Sequence, residues 1–93
     1  MDQIDIEGNR YQAHHIKTSL ANILMIQADG GFLACGYFDI ETANKLGEAV
    51  AIVTGVKNYD DMLLAKVVKL SKAAEDKGLT LGMSGREALS QLL

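Results

Sequence analysis

The chain has 93 residues, of which 48% are hydrophobic and 23% are charged, and its formal net charge is −3. This length fits a single domain, and the composition is too apolar for a disordered chain. The nine lysine and arginine residues form no single-sign cluster, which argues against nucleic-acid binding. No apolar run approaches the roughly 20 residues that cross a bilayer, so we expect no membrane association.

Polar–apolar alternation and short apolar runs predict four strands in residues 1–38. Gly8-Asn9 and Asp29-Gly30 supply residues that tolerate the positive φ angles of tight hairpin turns, so the strands should pair as two antiparallel hairpins. The predicted strands are Gln3–Glu7, Arg10–Thr18, Asn22–Ala28 and Gly31–Tyr37.

A short helix and a fifth strand are predicted next. Asp39 is a favourable N-cap for a helix over Ile40–Leu46, and Gly47 suits the left-handed residue that ends it. Ala49–Val53 is apolar at every position, which is typical of a strand covered on both faces.

The longest periodic stretch is Asn58–Lys77, which predicts one long helix of about five turns. Its apolar residues recur at helical spacing, Asn58 is a favourable N-cap, and Gly78 suits its end. A last short helix over Arg86–Leu92 follows Ser84, which forms a capping box with Glu87.

These elements predict an α+β fold in one domain of residues 1–93. It contains a small sheet of N-terminal antiparallel β-hairpins, one further strand, and one long and two short helices packed on the sheet. Residues 1–38 form a β-rich part and residues 39–93 a mixed part.

The amount of apolar strand surface predicts self-association. Ile23–Ile26 and Ala49–Val53 each need apolar partners on two faces, whereas the chain offers one substantial helix and two short ones. Each exposed Leu or Ile forgoes about 1.5–3 kcal/mol of burial. We therefore expect a homodimer or homotetramer that assembles through residues 1–38, while a monomer with its helices on one face stays open.

Cys35 ends a predicted strand four residues before Asp39. A thiol near a helix N-terminus can become a nucleophile, although free cysteine is more often a buried, inert residue. His14 and His15 are adjacent on a predicted strand and should point to opposite faces, so no metal site is predicted.

The segment Gly82–Glu87 carries the densest group of functional side chains. Ser84 and Arg86, together with backbone N–H groups, could hold a carboxylate or a phosphate, and the alternative is that they only cap the helix and pair with an acid. The Gly-Lys-Ser/Thr of a phosphate-binding loop is absent. The residues expected to line a ligand site are Cys35, Gly36, Asp39, Ser84 and Arg86.

Three segments carry a family likeness: Ala34–Asp39 (ACGYFD), Ala49–Asp61 (AVAIVTGVKNYDD) and Gly82–Leu89 (GMSGREAL). Together they resemble the YunC-like family of small bacterial and archaeal proteins, a domain of unknown function. The resemblance implies an α+β fold whose N-terminal β region takes part in tetramer assembly, and it implies no reaction or cofactor. It also leads us to expect a basic residue where this chain has Glu48.

Two functions stay open. The first is a homo-oligomeric module without catalysis that binds a small anion or a partner. The alternative is a thiol-dependent enzyme in which Cys35 attacks, Asp39 or a histidine transfers protons, and Arg86 binds the anion. A cytoplasmic location is expected, because the acidic N-terminus has no signal-peptide character and a lone cysteine forms no internal disulfide.

Overall fold

The computed structural model describes all 93 residues as an α+β fold with one six-stranded sheet and four helices. The strands lie in the sheet in their chain order. They are β1 (Asp2–Ile6), β2 (Asn9–Lys17), β3 (Asn22–Ala28), β4 (Gly31–Ala34), β5 (Val50–Ile52) and β6 (Lys69–Leu70). The helices are α1 (Ile40–Leu46), α2 (Tyr59–Leu64), α3 (Lys72–Asp76) and α4 (Gly85–Gln91).

Both predicted hairpins are present, because β1 pairs antiparallel with β2 and β3 pairs antiparallel with β4. The second turn is Asp29-Gly30, as predicted. The first turn is Glu7-Gly8 rather than Gly8-Asn9, with φ angles of 51° and 84°. Asn9 instead pairs with Ile6, so the turn needs a left-handed backbone at Glu7.

The unit β4–α1–β5 contains the one parallel strand pair in the sheet, β4 with β5. Asp39 caps α1 by accepting a hydrogen bond from the Glu41 N–H at 3.1 Å, and Gly47 ends it with φ 77°. All three residues of β5 are buried, as the continuous apolar run predicted.

The long helix predicted over Asn58–Lys77 is wrong. Asn58 does cap a helix there, but α2 ends at Leu64, and the chain then runs extended into β6 before α3 begins. The reason is the open edge of β5: the N–H of Val68 donates to Ile52 and that of Ser71 donates to Val50. Completing the sheet satisfies buried β5 carbonyls that a continuous helix would leave unpaired.

The two faces of the sheet are covered differently. On the inner face, α2, α3 and α4 pack over the strands in one large apolar core, which β6 joins at its edge through the half-buried Leu70. On the other side, α1 covers only β4 and β5, where Ala43 packs with Val50 and Ile52. The part of β2 and β3 beyond α1 carries no helix. We call it the outer face, and it presents Gln12, His14, Ile16, Ile23, Met25 and Gln27.

The prediction that two apolar strands need a second copy of the chain to cover them is wrong for one strand and still applies to the other. Ala49–Val53 is fully buried inside one copy of the chain, because α1 and the inner-face helices enclose it. In β3, by contrast, Leu24 and Ile26 are buried whereas Ile23 and Met25 are only half-buried on the outer face. None of the four helices is long and apolar enough to cross a membrane.

Candidate functional site

A cavity of about 330 Å³ lies where β4 and β5 both end. We call it the Cys35 cavity. Its walls come from the β2–β3 turn, the β4–α1 loop and the segment after β5. The ten lining residues are Leu20, Ala21, Asn22, Cys35, Gly36, Tyr37, Thr54, Gly55, Val56 and Lys57.

The topology explains why the cavity is at this edge. Parallel strands bring their carboxyl ends to the same side of a sheet, and the loops that leave them diverge and open a crevice. Here the loop after β4 turns toward α1, on one side of the sheet, and the segment after β5 turns toward α2, on the other. Cys35 and Gly36 therefore face Thr54 and Gly55 across the cavity.

The charge of this cavity is unusual for the chain. Lys57 is its one charged lining residue, and no carboxylate lines it. Four other cavities are each lined by at least one aspartate or glutamate. The Lys57 ammonium forms no ion pair, because the ion pairs in the structure are Arg10–Asp5 and Arg86–Glu7. The nearest carboxylate in hydrogen-bond contact with this lining is that of Asp61, which accepts the Lys57 N–H at 3.0 Å from outside the cavity.

Backbone N–H groups add further hydrogen-bond donors to that of Lys57. In five of the ten lining residues, the N–H has no hydrogen-bond acceptor within the protein. Gly55 among them has a left-handed backbone with φ 72°. The five residues are Gly36, Tyr37, Thr54, Gly55 and Val56.

Cys35 is 5% exposed and is held as a hydrogen-bonded thiol. Its Sγ accepts the Leu24 N–H at 3.3 Å and lies 3.8 Å from the Asn22 carbonyl, to which the S–H can donate. No histidine or carboxylate contacts the sulfur, so the proton acceptor that a nucleophilic cysteine needs is not beside it.

The two histidines point to opposite faces, as predicted. His14 bonds Gln27 on the outer face at 2.7 Å, and His15 bonds the Asn22 side chain at 2.8 Å. The His15 ring also meets the edge of Tyr59, whose hydroxyl donates to Asp2. Burial, followed by the Asp2 hydrogen bond and charge, raises the pKa of Tyr59 to about 12. No group of three or more His, Cys, Asp or Glu side chains could hold a metal ion.

Arg86 and Ser84 do not share the Cys35 cavity. Arg86 donates to Glu7 at the β1–β2 turn at 3.2 Å, and with Glu7 and Glu87 it lines a separate cavity. Ser84 and Glu87 form the predicted capping box of α4. The structure therefore places Arg86 among carboxylates, which occupy the positions an anion would need.

Asp39 is also engaged locally. One carboxylate oxygen accepts from the Glu41 N–H, and the other accepts from the Thr42 hydroxyl at 3.1 Å. It does not line the Cys35 cavity, so of the five predicted site residues only Cys35 and Gly36 do. Glu48, at the position where a basic residue was expected, lines another cavity together with Lys77.

Lys57, Thr54 and Gly55 were missed as cavity residues. A signal was present in the sequence: Thr54-Gly55-Val56-Lys57 directly follows a buried strand and carries a glycine and a cation. The sequence did not indicate that β4 pairs with β5. Without knowing that the two strands are parallel neighbours, nothing joins Lys57 to Cys35.

Comparison with known proteins agrees with this fold. Residues 34–92 match a family described as a domain of unknown function, DUF1805. The chain is 35% identical to the uncharacterized protein YunC of Bacillus subtilis (strain 168), over 97% of this chain and 93% of that protein. It also matches the crystal structure of TA1206, a protein of unknown function from Thermoplasma acidophilum, with a TM-score of 0.93 and 39% identity. That alignment covers 99% of this chain and 90% of the other. The chain belongs to the DUF1805 family, and the expected resemblance to YunC is confirmed.

Proposed function

We propose that this protein is a homo-oligomeric binding module without catalysis, and that the Cys35 cavity holds a small anion. The observation that carries the proposal is the charge of the cavity: Lys57 lines it and no carboxylate does. A carboxylate or phosphate entering the cavity would meet one ammonium and several N–H groups that have no acceptor in the protein.

The expected affinity is modest. A hydrogen bond to a charged group contributes about 1.5–3 kcal/mol, and Lys57 is exposed, so water and salt weaken its attraction. Two such bonds correspond to a dissociation constant on the order of 1 mM. The predicted Arg86 site is the weaker candidate, because Glu7 already pairs with that guanidinium.

The experiment is an amide NMR titration with inorganic phosphate and with acetate. We expect the N–H signals of Gly36, Gly55 and Val56 to shift with a common dissociation constant. Lys57→Gln should remove these shifts, whereas Lys66→Gln, at an exposed lysine outside the cavity, should not. Loss of binding in Arg86→Gln, with binding intact in Lys57→Gln, would move the site to α4 and contradict the proposal.

Self-association is the second part of the proposal, as a homodimer or homotetramer. The outer face supports it, because Ile16 is 59% exposed there and Ile23 and Met25 are only half-buried. The recess between this face and the end of α1, about 440 Å³, is lined by Met25, Phe32 and Gly47 among others. A side chain of a second copy could fill that recess and cover the exposed apolar groups.

The charge of this side of the sheet favours an identical partner. A two-fold interface brings the same surface against itself, so any net charge on it would repel its own copy. The formal charges on this side of β1 and β2 are Asp5 and Arg10, which pair with each other at 3.2 Å. This part of the surface is therefore neutral although the whole chain carries −3, and the adjoining recess adds Asp29, Glu48 and Lys77.

The thiol-dependent enzyme is the alternative, since Cys35 does line the cavity. We expect it to fail a direct test. Iodoacetamide at neutral pH should label native Cys35 slowly and the denatured chain quickly, because the thiol is buried and contacts no base. Labelling of the native protein at the rate of a free thiolate would favour the enzyme instead.

The remaining parts of the proposal concern the cellular compartment and the kinds of partner. A free buried thiol suits a reducing compartment, so we propose a cytoplasmic location. The exposed lysines alternate with acids, which supports an absence of nucleic-acid partners.

A further inference from the structure

The rim of the Cys35 cavity is apolar and exposed. Leu20, in the β2–β3 turn, is 98% exposed, and Tyr37, in the β4–α1 loop, is 64% exposed. Single exposed hydrophobic residues are ordinary on a protein surface. These two residues, however, line the same cavity from opposite loops, beside the one cation in its wall.

The apolar lining continues inside the rim. Five of the ten lining residues are hydrophobic, and Ala21 and Val56 are half-buried there. An inorganic anion at Lys57 would leave all of this surface in contact with water. A ligand that fits the whole cavity therefore combines one negative group with an apolar part.

The volume limits the size of that ligand. Liquid water occupies about 30 Å³ per molecule, so roughly ten water molecules would fill the 330 Å³. This lies near the lower end of known ligand sites. The single lysine matches a single negative charge better than the multiple charges of a nucleotide.

We infer that the Cys35 cavity binds an amphipathic monocarboxylate with an apolar part of about four to eight carbon atoms. The carboxylate meets Lys57, and the apolar part contacts Leu20, Tyr37 and Val56. This inference rests on the proposed anion-binding function and specifies its ligand class.

The test is a binding series of unbranched carboxylates from acetate to hexanoate, with inorganic phosphate as reference. Each added methylene that becomes buried should tighten binding about three- to fourfold. Leu20→Ser should reduce this dependence of affinity on chain length. Leu64→Ser is the matched control, because Leu64 is 80% exposed at the end of α2, outside the cavity.

Lys57→Gln should weaken every member of the series by a similar factor, because it removes the shared carboxylate contact. In the wild type, magnetisation transfer from the terminal methyl group of hexanoate to Leu20 and Tyr37 should be visible. That measurement does not depend on the folding of any variant.

The outcomes separate the two claims. If phosphate and acetate bind and hexanoate binds no tighter, this inference is wrong while anion binding stands. If no anion binds, both are wrong. If Leu20→Ser lowers self-association and leaves the chain-length series unchanged, the rim is a contact between copies, which also overturns the inference.

Discussion

Gly85 is a residue at which one added methyl group matters. It is the buried first residue of α4, where the helix crosses the end of α2. A Cβ at this position would collide with the carbonyl oxygen of Met62 and would lie 2.9 Å from a methyl group of Leu33. The backbone oxygen cannot rotate away, so the two helices would have to separate.

Gly85→Ala should therefore destabilise the protein, although alanine is the better helix former. The propensity gain is at most about 1 kcal/mol, whereas overpacking a core costs about 1–3 kcal/mol. We expect a net loss of about 1–2 kcal/mol in the free energy of unfolding by urea. Ser90→Ala, on the exposed side of the same helix, is the control. A variant as stable as the wild type would show that α2 and α4 can move apart freely.

For single residues, the helix caps were predictable from the sequence, whereas contacts between residues far apart in the chain were not. Asp39, Asn58 and Ser84 cap helices as the sequence indicated, because capping depends on residues two or three positions away. For Arg86 the sequence left open an anion or a pairing with an acid, and it could not identify Glu7 as that acid. Those two residues are 79 positions apart and meet only through the fold.

Among the elements, the segment from Asn58 to Lys77 shows how the sheet overrides a helical pattern. Its apolar spacing is helical, but Val67-Val68 is β-branched and Ser71 is a residue type that prefers a cap to a helix interior. Both signals were present in the sequence. That these signals outweigh the helical spacing becomes clear only once β5 is known to have an open edge that pairs with β6.

Ser71 joins these elements through a fully buried hydroxyl. Its Oγ donates to the Glu48 carbonyl at 2.7 Å and accepts the N–H groups of Val50 and, as the N-cap of α3, of Ala74. One side chain thus fixes the start of β5 and the start of α3.

Ser71→Ala should consequently cost more than the usual loss of a helix cap. A cap is worth about 1 kcal/mol, and each buried polar group left without a partner adds about 1–3 kcal/mol. We expect a loss of about 2–4 kcal/mol in thermal or urea unfolding. A loss below about 1 kcal/mol would mean that water replaces the hydroxyl.

For the whole molecule, the hairpins and the fold class were predictable because pairing between neighbouring strands is local information. The parallel pairing of β5 with β4 was not predictable, because the sequence of a three-residue strand does not indicate which strand it pairs with. The Cys35 cavity depends on that pairing and so could not be predicted either.

The exposed outer face predicts how the proposed assembly can be broken. Ile16→Lys combined with Met25→Lys should convert the proposed oligomer into monomers of 10.0 kDa in sedimentation, because it places unpaired charges in the proposed contact. Leu64→Lys, on an inner-face helix, should leave the assembly intact. A wild-type protein that sediments at 10.0 kDa at high concentration would contradict self-association.

The agreement between strand order and chain order has a consequence for synthesis on the ribosome. The first four strands need only one another to form their ladder, so they can pair as soon as they leave the exit tunnel. Their inner face then stays bare until α2 and α4 have been translated and can cover Leu24, Ile26 and Leu33. During that interval the nascent chain exposes an apolar surface that is buried in the complete protein. A chaperone that binds exposed apolar surfaces should therefore bind the nascent chain in that interval and dissociate once α2 and α4 have folded.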